Sequence, residues 1–236
     1  MPHWQTKLCV DASTLAQQCA AEFSSWATPA SATRSVALSG GRIAKDFFSA
    51  VARLTKERGQ SLAHVHFFWA DERCVPPDHA ESNYRSAAEL LFTPLGLSPQ
   101  NLHRIRGEED PDQAACEAGA ELRRCASTNA AGQPVLDLIL LGMGEDGHVA
   151  SLFPDEAPDA MLSPTVYRAV TASKPPPRRI TLGYATIAAA RNIWVLASGV
   201  GKEAALQASL AKEGQTPLAR VLRQRPDTRI FTDIRL

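Results

Sequence analysis

The sequence predicts an α/β fold: one doubly wound, mostly parallel sheet with helices on both faces, formed by residues 1–236 as a single domain. Three observations lead there. Short runs of apolar and aromatic residues alternate along the chain with segments of helical periodicity, as in successive βαβ units. Runs such as Leu138-Ile139-Leu140-Leu141 are apolar throughout, which fits strands buried on both faces of a parallel sheet. Several runs end in glycine-rich turns, and open α/β sheets place ligands at the carboxyl ends of their strands.

Each element follows in order. Ser13 to Trp26 reads as a helix with Leu15, Cys19, Glu22 and Phe23 on one face and Ser13 as its cap. Arg34–Leu38 is a strand, Ser39-Gly40-Gly41-Arg42 a turn, and Ile43–Lys56 a helix with Phe47, Phe48, Val51 and Leu54 at helical spacing. A strand, a Gly-Gly turn and a helix N-terminus can hold an anion, although an ordinary βα turn has the same pattern. His64–Ala70 is an aromatic-rich strand ending in Asp71-Glu72-Arg73, charges that need a cleft or one another. His64 and His66 share a strand face at metal-like spacing, without an evident third ligand, and read as structural. Ser82-Asn83-Tyr84 opens a helix to about Phe92, and a short strand is expected over Asn101–Arg106. Asp110 to about Ser127 is a helix with Cys116, Gly119, Ala120 and Leu122 inward, followed by a loop at Asn129–Gly132.

The second half opens with Val135–Leu141 as a strand, and residues 153–164 form a loose surface segment. Thr165–Val170 alternates like a strand, and Lys174-Pro175-Pro176-Pro177-Arg178-Arg179 is a stiff basic connection. Ile180–Leu182 then leads to a helix ending at Ala190. Asn192–Ala197 is a strand, Glu203–Ala211 and Pro217–Arg223 are helices, and Arg229–Ile234 closes the sheet.

Composition narrows the function. Lys plus Arg and Asp plus Glu both number 25, so no basic excess points to nucleic acid or to an anionic membrane. A phosphorylated small molecule needs only a few local cations and stays open. No apolar run has membrane-spanning length, and Met1–Gln5 lacks the pattern of a secretory signal. The five cysteines, Cys9, Cys19, Cys74, Cys116 and Cys125, are scattered and odd in number. They imply neither a disulfide framework nor a zinc motif, and they fit reduced thiols in the cytoplasm.

Chemistry concentrates after Leu141. Gly142, Gly144 and Gly147 fall within six residues, interleaved with Glu145 and Asp146 and followed by His148. Gly lets a backbone approach a ligand, successive N–H groups can cradle an anion, and His148 titrates near neutral pH. The reading is a catalytic histidine on a ligand-holding loop; a tight connection with a surface histidine is the alternative.

Four segments together resemble the 6-phosphogluconolactonase family: Leu38-Ser39-Gly40-Gly41; Asp71-Glu72-Arg73-x-Val75-Pro76 with His79-x-x-Ser82-Asn83-Tyr84; Leu141-Gly142-Met143-Gly144-x-Asp146-Gly147-His148-x-Ala150-Ser151-Leu152-Phe153-Pro154; and Lys174-Pro-Pro-x-Arg178-Arg179-Ile180-Thr181. The resemblance implies a Rossmann-like α/β sheet and hydrolysis of 6-phospho-D-glucono-1,5-lactone, a phosphosugar lactone, to 6-phosphogluconate. It implies no metal or organic cofactor and a monomer or small homo-oligomer. On this resemblance His148 is the general base and Asp146 orients it or binds a sugar hydroxyl. Arg73, Arg179 and Arg42 meet the phosphate, with Lys174 and Lys202 as further cations. Gly40, Gly41, Gly142 and Gly144 offer backbone donors to the oxyanion. Ser39, Asp71, Glu72 and Asn83 complete the expected substrate contacts. Where many relatives have Ser-Gly-Gly-Ser-Thr-Pro, this chain reads Ser39-Gly40-Gly41-Arg42-Ile43-Ala44, so Arg42 replaces hydroxyls by charge. The related glucosamine-6-phosphate deaminases carry Asn-Glu-Pro after the histidine, whereas here Leu152-Phe153-Pro154 supplies no acid. A sugar-phosphate sensor without turnover is a third reading.

Overall fold

The computed structural model describes residues 4–28 and 32–235. The strands are β1 (Gln5–Leu8), β2 (Arg34–Leu38), β3 (Val65–Trp69), β4 (Asp71–Arg73), β5 (Ser127–Thr128), β6 (Pro134–Val135), β7 (Leu138–Gly142), β8 (Tyr167–Thr171), β9 (Arg178–Leu182), β10 (Ile193–Ala197) and β11 (Arg229–Thr232). The helices are α1 (Ala12–Ala27), α2 (Arg42–Glu57), α3 (Asn83–Ala87), α4 (Thr93–Leu95), α5 (Pro111–Cys125), α6 (Pro158–Leu162), α7 (Tyr184–Ala189), α8 (Glu203–Leu210) and α9 (Pro217–Gln224).

Six strands form one parallel sheet in the order β1-β11-β10-β7-β2-β3. The order reverses between β2 and β7, because β2 leads outward to β3 while β7 leads the other way to β10 and β11. Such a reversal opens a crevice at the carboxyl ends of the two strands. Every residue of β10, Leu138–Leu141 of β7 and Ser35–Leu38 of β2 is buried, so both faces of the sheet are covered. Burial of this kind contributes roughly 1.5–3 kcal/mol for each large apolar side chain. On one side α1 packs along α2, with Phe23 edge-on to Phe47 at 5.7 Å. The aromatic side chains of β3 pack beyond it, Phe67 lying 5.1 Å from Phe92.

A three-stranded antiparallel sheet, β4-β9-β8, branches from the edge of the main one. Ala70 is the branch point. Its N–H donates to the Leu38 carbonyl of the main sheet, and its own carbonyl accepts from Leu182 N–H of β9. This turn carries Asp71-Glu72-Arg73 sideways across the carboxyl ends of β2 and β3.

Several elements differ from expectation. The edge strand β1 has no sequence signature, since all four of its residues are exposed and Gln-Thr-Lys-Leu shows no apolar run. Asn101–Arg106 makes only one bridge, Leu102 to Phe67, instead of a strand. Asp11 rather than Ser13 caps α1, accepting Thr14 N–H at 2.7 Å. On α5, Cys116 and Ala120 face solvent, while Ala114, Ala115, Gly119 and Leu122 face inward. The expected loop at 129–132 is the tip of the β5–β6 hairpin. Among the described residues, no helix is long and apolar enough to cross a membrane.

Candidate active site

A cleft of about 310 Å³ lies at the β2/β7 reversal. Ser39, Gly40, Gly41, Arg42, Asp71, Arg73, Asn83, Gly142, His148 and Arg179 all line it. Residues distant in sequence converge here because β2 and β7 end side by side and β4–β9 folds over their ends.

The turn after β7 is tied down on all sides. Gly144 N–H donates to the His148 carbonyl at 2.9 Å, and Gly147 N–H donates to the Gly144 carbonyl at 3.1 Å. Gly147 has φ +79° and lies so close to Thr216 that a Cβ there would sit 2.7 Å from the threonine Cβ. Ala150 has φ 51°, rare for a residue with a side chain, and borders the cleft. The loop presents His148 with Nδ1 at 2.5 Å from Asp146 Oδ1. The same carboxylate oxygen accepts the His148 backbone N–H at 3.1 Å. Burial raises the Asp146 pKa, but the His148 N–H and imidazole outweigh it and hold the carboxyl below its usual range. An ionised carboxylate only accepts, so Nδ1 carries a proton, and in the neutral imidazole Nε2 then holds the lone pair. The Phe153 ring centroid lies 5.0 Å from that of the imidazole.

Opposite lies a cationic wall. Arg73 and Arg179 are direct partners in the β4–β9 register, so two guanidinium groups leave the same face of the sheet. Like charges across antiparallel strands repel unless an anion joins them. Arg179 is buried and donates to the carbonyls of Pro176 and Lys174 at 3.0 and 3.3 Å. Burial pushes its pKa down, and the charge of Arg73 adds to that. Arg73 donates to Glu81, while its buried Nε has no partner. Ser39 Oγ, on the floor, is likewise buried without a partner. Unsatisfied buried donors cost on the order of 1–3 kcal/mol each, which a polar ligand would recover.

Around the floor, Asn83 Nδ2 donates to the Asp71 carbonyl, and a Cβ on Gly40 would collide with the Asn83 amide. Asp71 Oδ2 accepts from Ser151 Oγ at 2.8 Å. Gly41, φ +105°, is the N-cap of α2 and supplies no side-chain cap. The first N–H groups of the helix therefore lack a side-chain partner where Arg42 and Ile43 border the cleft, and the helix dipole adds positive potential there.

Three expected contacts lie elsewhere. Glu72 points away from the cleft: its carboxylate accepts the N–H groups of Arg73, Asn83 and Tyr84 and the Ser82 hydroxyl, which leaves nothing for a substrate. Gly144 uses its N–H internally and backs onto the His148 ring, so it is no oxyanion donor. Lys174 is exposed on the rim, 4.0 Å from Glu145, and does not line the cleft. Asp146 meets His148 rather than the cleft itself. Lys202, a lesser cation in the sequence reading, does line it, half-buried beside Arg42. Burial, with Arg42, pushes the Lys202 pKa down. The glycine-flanked Ser198–Lys202 turn after β10 was the signal for it. Glu145 of the glycine turn also borders the cleft, as do Asp46 and Asp233, which stand out by no motif.

Residues 10–230 match the family described as glucosamine-6-phosphate isomerases/6-phosphogluconolactonase. The chain belongs to this family. It is 33% identical over 214 residues to a 6-phosphogluconolactonase of Streptomyces coelicolor, covering 87% of this chain and 82% of that one. A 6-phosphogluconolactonase of Treponema pallidum is 40% identical over 51% of this chain and 49% of its own length. Several matched relatives are thus spanned over only about half their length. The solved 6-phosphogluconolactonase of Trypanosoma brucei superposes with a TM-score of 0.84 at 27% identity, over 97% of this chain and 95% of that one. A monomeric glucosamine-6-phosphate deaminase reaches a TM-score of 0.81 at 19% identity, a likeness of fold alone.

Proposed function

We propose that this chain is a cytoplasmic 6-phosphogluconolactonase, hydrolysing 6-phospho-D-glucono-1,5-lactone to 6-phospho-D-gluconate. The observation that carries the reading is one cleft with the Asp146–His148 pair on one wall and the Arg73–Arg179 pair on another. Ester hydrolysis needs a base for the attacking water, donors for the oxyanion and a hold on the substrate. His148 Nε2 takes the water proton, and the imidazolium that forms is held by ionised Asp146. Backbone N–H groups at the Gly40–Gly41 turn and the start of α2 face the developing charge. Arg73 and Arg179 bind the phosphate dianion, whose charge removes their mutual repulsion. Four of the matched relatives bearing this activity's name are bacterial, and the unpaired cysteines suit a reducing compartment.

The deaminase reading is not favoured. The position of the second acid is occupied by Phe153, whose ring packs on His148 and lies 5.7 Å below the Arg179 guanidinium. The test is lactone hydrolysis on freshly prepared substrate, corrected for spontaneous opening. Wild-type protein accelerates it, and His148→Ala folds normally but turns over roughly two to four orders of magnitude more slowly. Near-normal turnover in that variant removes His148 from the mechanism, and ammonia release from glucosamine 6-phosphate by the wild type would favour the deaminase.

A further inference from the structure

Away from the cleft, three different metal-ligating atoms meet between α5 and the segment that follows α4. His103 Nδ1 lies 2.7 Å from Glu121 Oε1, and Cys125 Sγ lies 3.5 Å from that oxygen and 4.0 Å from the same nitrogen. We propose that His103, Glu121 and Cys125 form a binding site for a divalent transition-metal ion of the zinc type, separate from the substrate cleft.

The geometry is close to what such an ion requires. Metal–nitrogen and metal–oxygen distances near 2.0–2.2 Å and a metal–sulfur distance near 2.3 Å put tetrahedral ligands about 3.3–3.6 Å apart. The observed separations fall within about 0.6 Å of that range, a gap that side-chain rotation closes. Glu121 and Cys125 are four residues apart on α5 and so share a helix face. His103 is brought to them by the Leu102–Phe67 bridge and by its own N–H, which donates to the Phe67 carbonyl at 2.8 Å. Its ring is fixed by stacking on Phe68 at 4.4 Å and 7°.

The surroundings of His103 are those of a metal-bound histidine. Its other nitrogen, Nε2, lies 2.8 Å from His66 Nδ1. With the ion on Nδ1, His103 donates Nε2–H to His66, which accepts through Nδ1 and carries its own proton on Nε2. Such a partner fixes the tautomer and raises the basicity of the ligand. His64, at the same strand spacing, instead bonds the Ala27 carbonyl at 2.7 Å and takes no part.

Two changes accompany binding. Arg124, which touches both Glu121 oxygens, gives up Oε1; its side chain is 70% exposed and free to swing. The Cys125 thiol loses its proton to solvent as the sulfur–metal bond forms, while the imidazole protons only change nitrogens. Glu121 binds as the carboxylate it already presents to Arg124. A groove lined by Tyr84, Leu102, His103 and Glu121 leaves room for water as fourth ligand. Mixed nitrogen, oxygen and sulfur donors select zinc-like ions over magnesium or calcium.

The test uses the intact chain freed of metal, with Co²⁺ as spectroscopic probe and Zn²⁺ as competitor, at near-neutral pH. One Co²⁺ binds per chain with a thiolate-to-cobalt charge-transfer band, Zn²⁺ abolishes the band, and affinity rises with pH as the thiol proton is released. Cys125→Ser loses the band and weakens Zn²⁺ by at least about tenfold. Glu121→Gln weakens Zn²⁺ as well, and Cys116→Ser changes neither band nor affinity. Absence of bound Co²⁺, a bound ion without a thiolate band, or a band surviving in folded Cys125→Ser overturns the proposal. Lactone turnover by Cys125→Ser is a separate readout, so failure here leaves the reading of the cleft standing.

Discussion

The His148 imidazole is wedged between the Asp146 carboxylate, the Phe153 ring and the bare Cα of Gly144. A side chain at Gly144 meets the ring before it meets any backbone, so the ring is what moves. Gly144→Ala therefore turns Nε2 away from the water while leaving the fold standing. A displacement near 1 Å costs about a hundredfold in rate, and the expected result is a kcat loss of that order with a urea midpoint near wild type. An unchanged kcat would show that the ring orientation does not matter. The sequence marked His148, Asp146 and the glycines, but not which glycines serve the ligand. Gly41 and Gly142 border the cleft, whereas Gly144 and Gly147 are glycine because side chains of this same chain press on them. Spacing is silent on that distinction, since it depends on where His148 and Thr216 point.

Among the elements, β4 and α3 are joined through one side chain. Glu72 leaves β4, turns inward and accepts the first N–H groups of α3 together with Arg73 N–H and the Ser82 hydroxyl. In doing so it fixes the strand from which Arg73 reaches the cleft. Burial pushes its pKa up to about 7, against the backbone donors that favour the charged form. A carboxyl whose pKa is higher folded than unfolded contributes stability that is complete below the unfolded value and is lost as pH rises through the folded one. The unfolding free energy thus falls between about pH 4.5 and 7, by at most roughly 3 kcal/mol from this group. Glu72→Gln lowers stability at every pH, because its amide NH₂ meets backbone donors, but loses that slope. Equal slopes in chemical denaturation of both proteins would disprove the assignment. In the sequence, Asp71-Glu72-Arg73 read as three charges needing a cleft or one another; two face the cleft and the middle one points away, as strand alternation requires. Elements with long apolar stripes, such as α2 and β7, were legible. The edge strand β1 was not, because an exposed strand has no hydrophobic face to show.

For the whole molecule, alternation of strands and helices announced the sheet, but not the strand order or the sideways branch at Ala70. Those arise from long-range pairings, and they bring Arg73 opposite Arg179 although more than a hundred residues separate them. The arrangement has a thermodynamic consequence. The fold carries two adjacent guanidinium groups and an unpartnered buried Nε, costs that a phosphate dianion bound as proposed would relieve. A ligand bound only by the folded state stabilises it by about 2.7 kcal/mol at a hundred times its Kd. For a chain of this size that raises Tm by roughly 5–10 °C. We expect 6-phosphogluconate to give a rise of this order and gluconate, lacking the phosphate, to give little. Arg179→Met keeps an aliphatic stem in the buried site and removes one of the two repelling charges. Its ligand-free Tm should fall less than a buried, hydrogen-bonded arginine otherwise implies, while the shift with 6-phosphogluconate shrinks. Thermal scans of both proteins with both ligands decide the matter: equal shifts from gluconate and 6-phosphogluconate, or an undiminished shift in Arg179→Met, would move the phosphate away from this pair and towards Arg42 and Lys202.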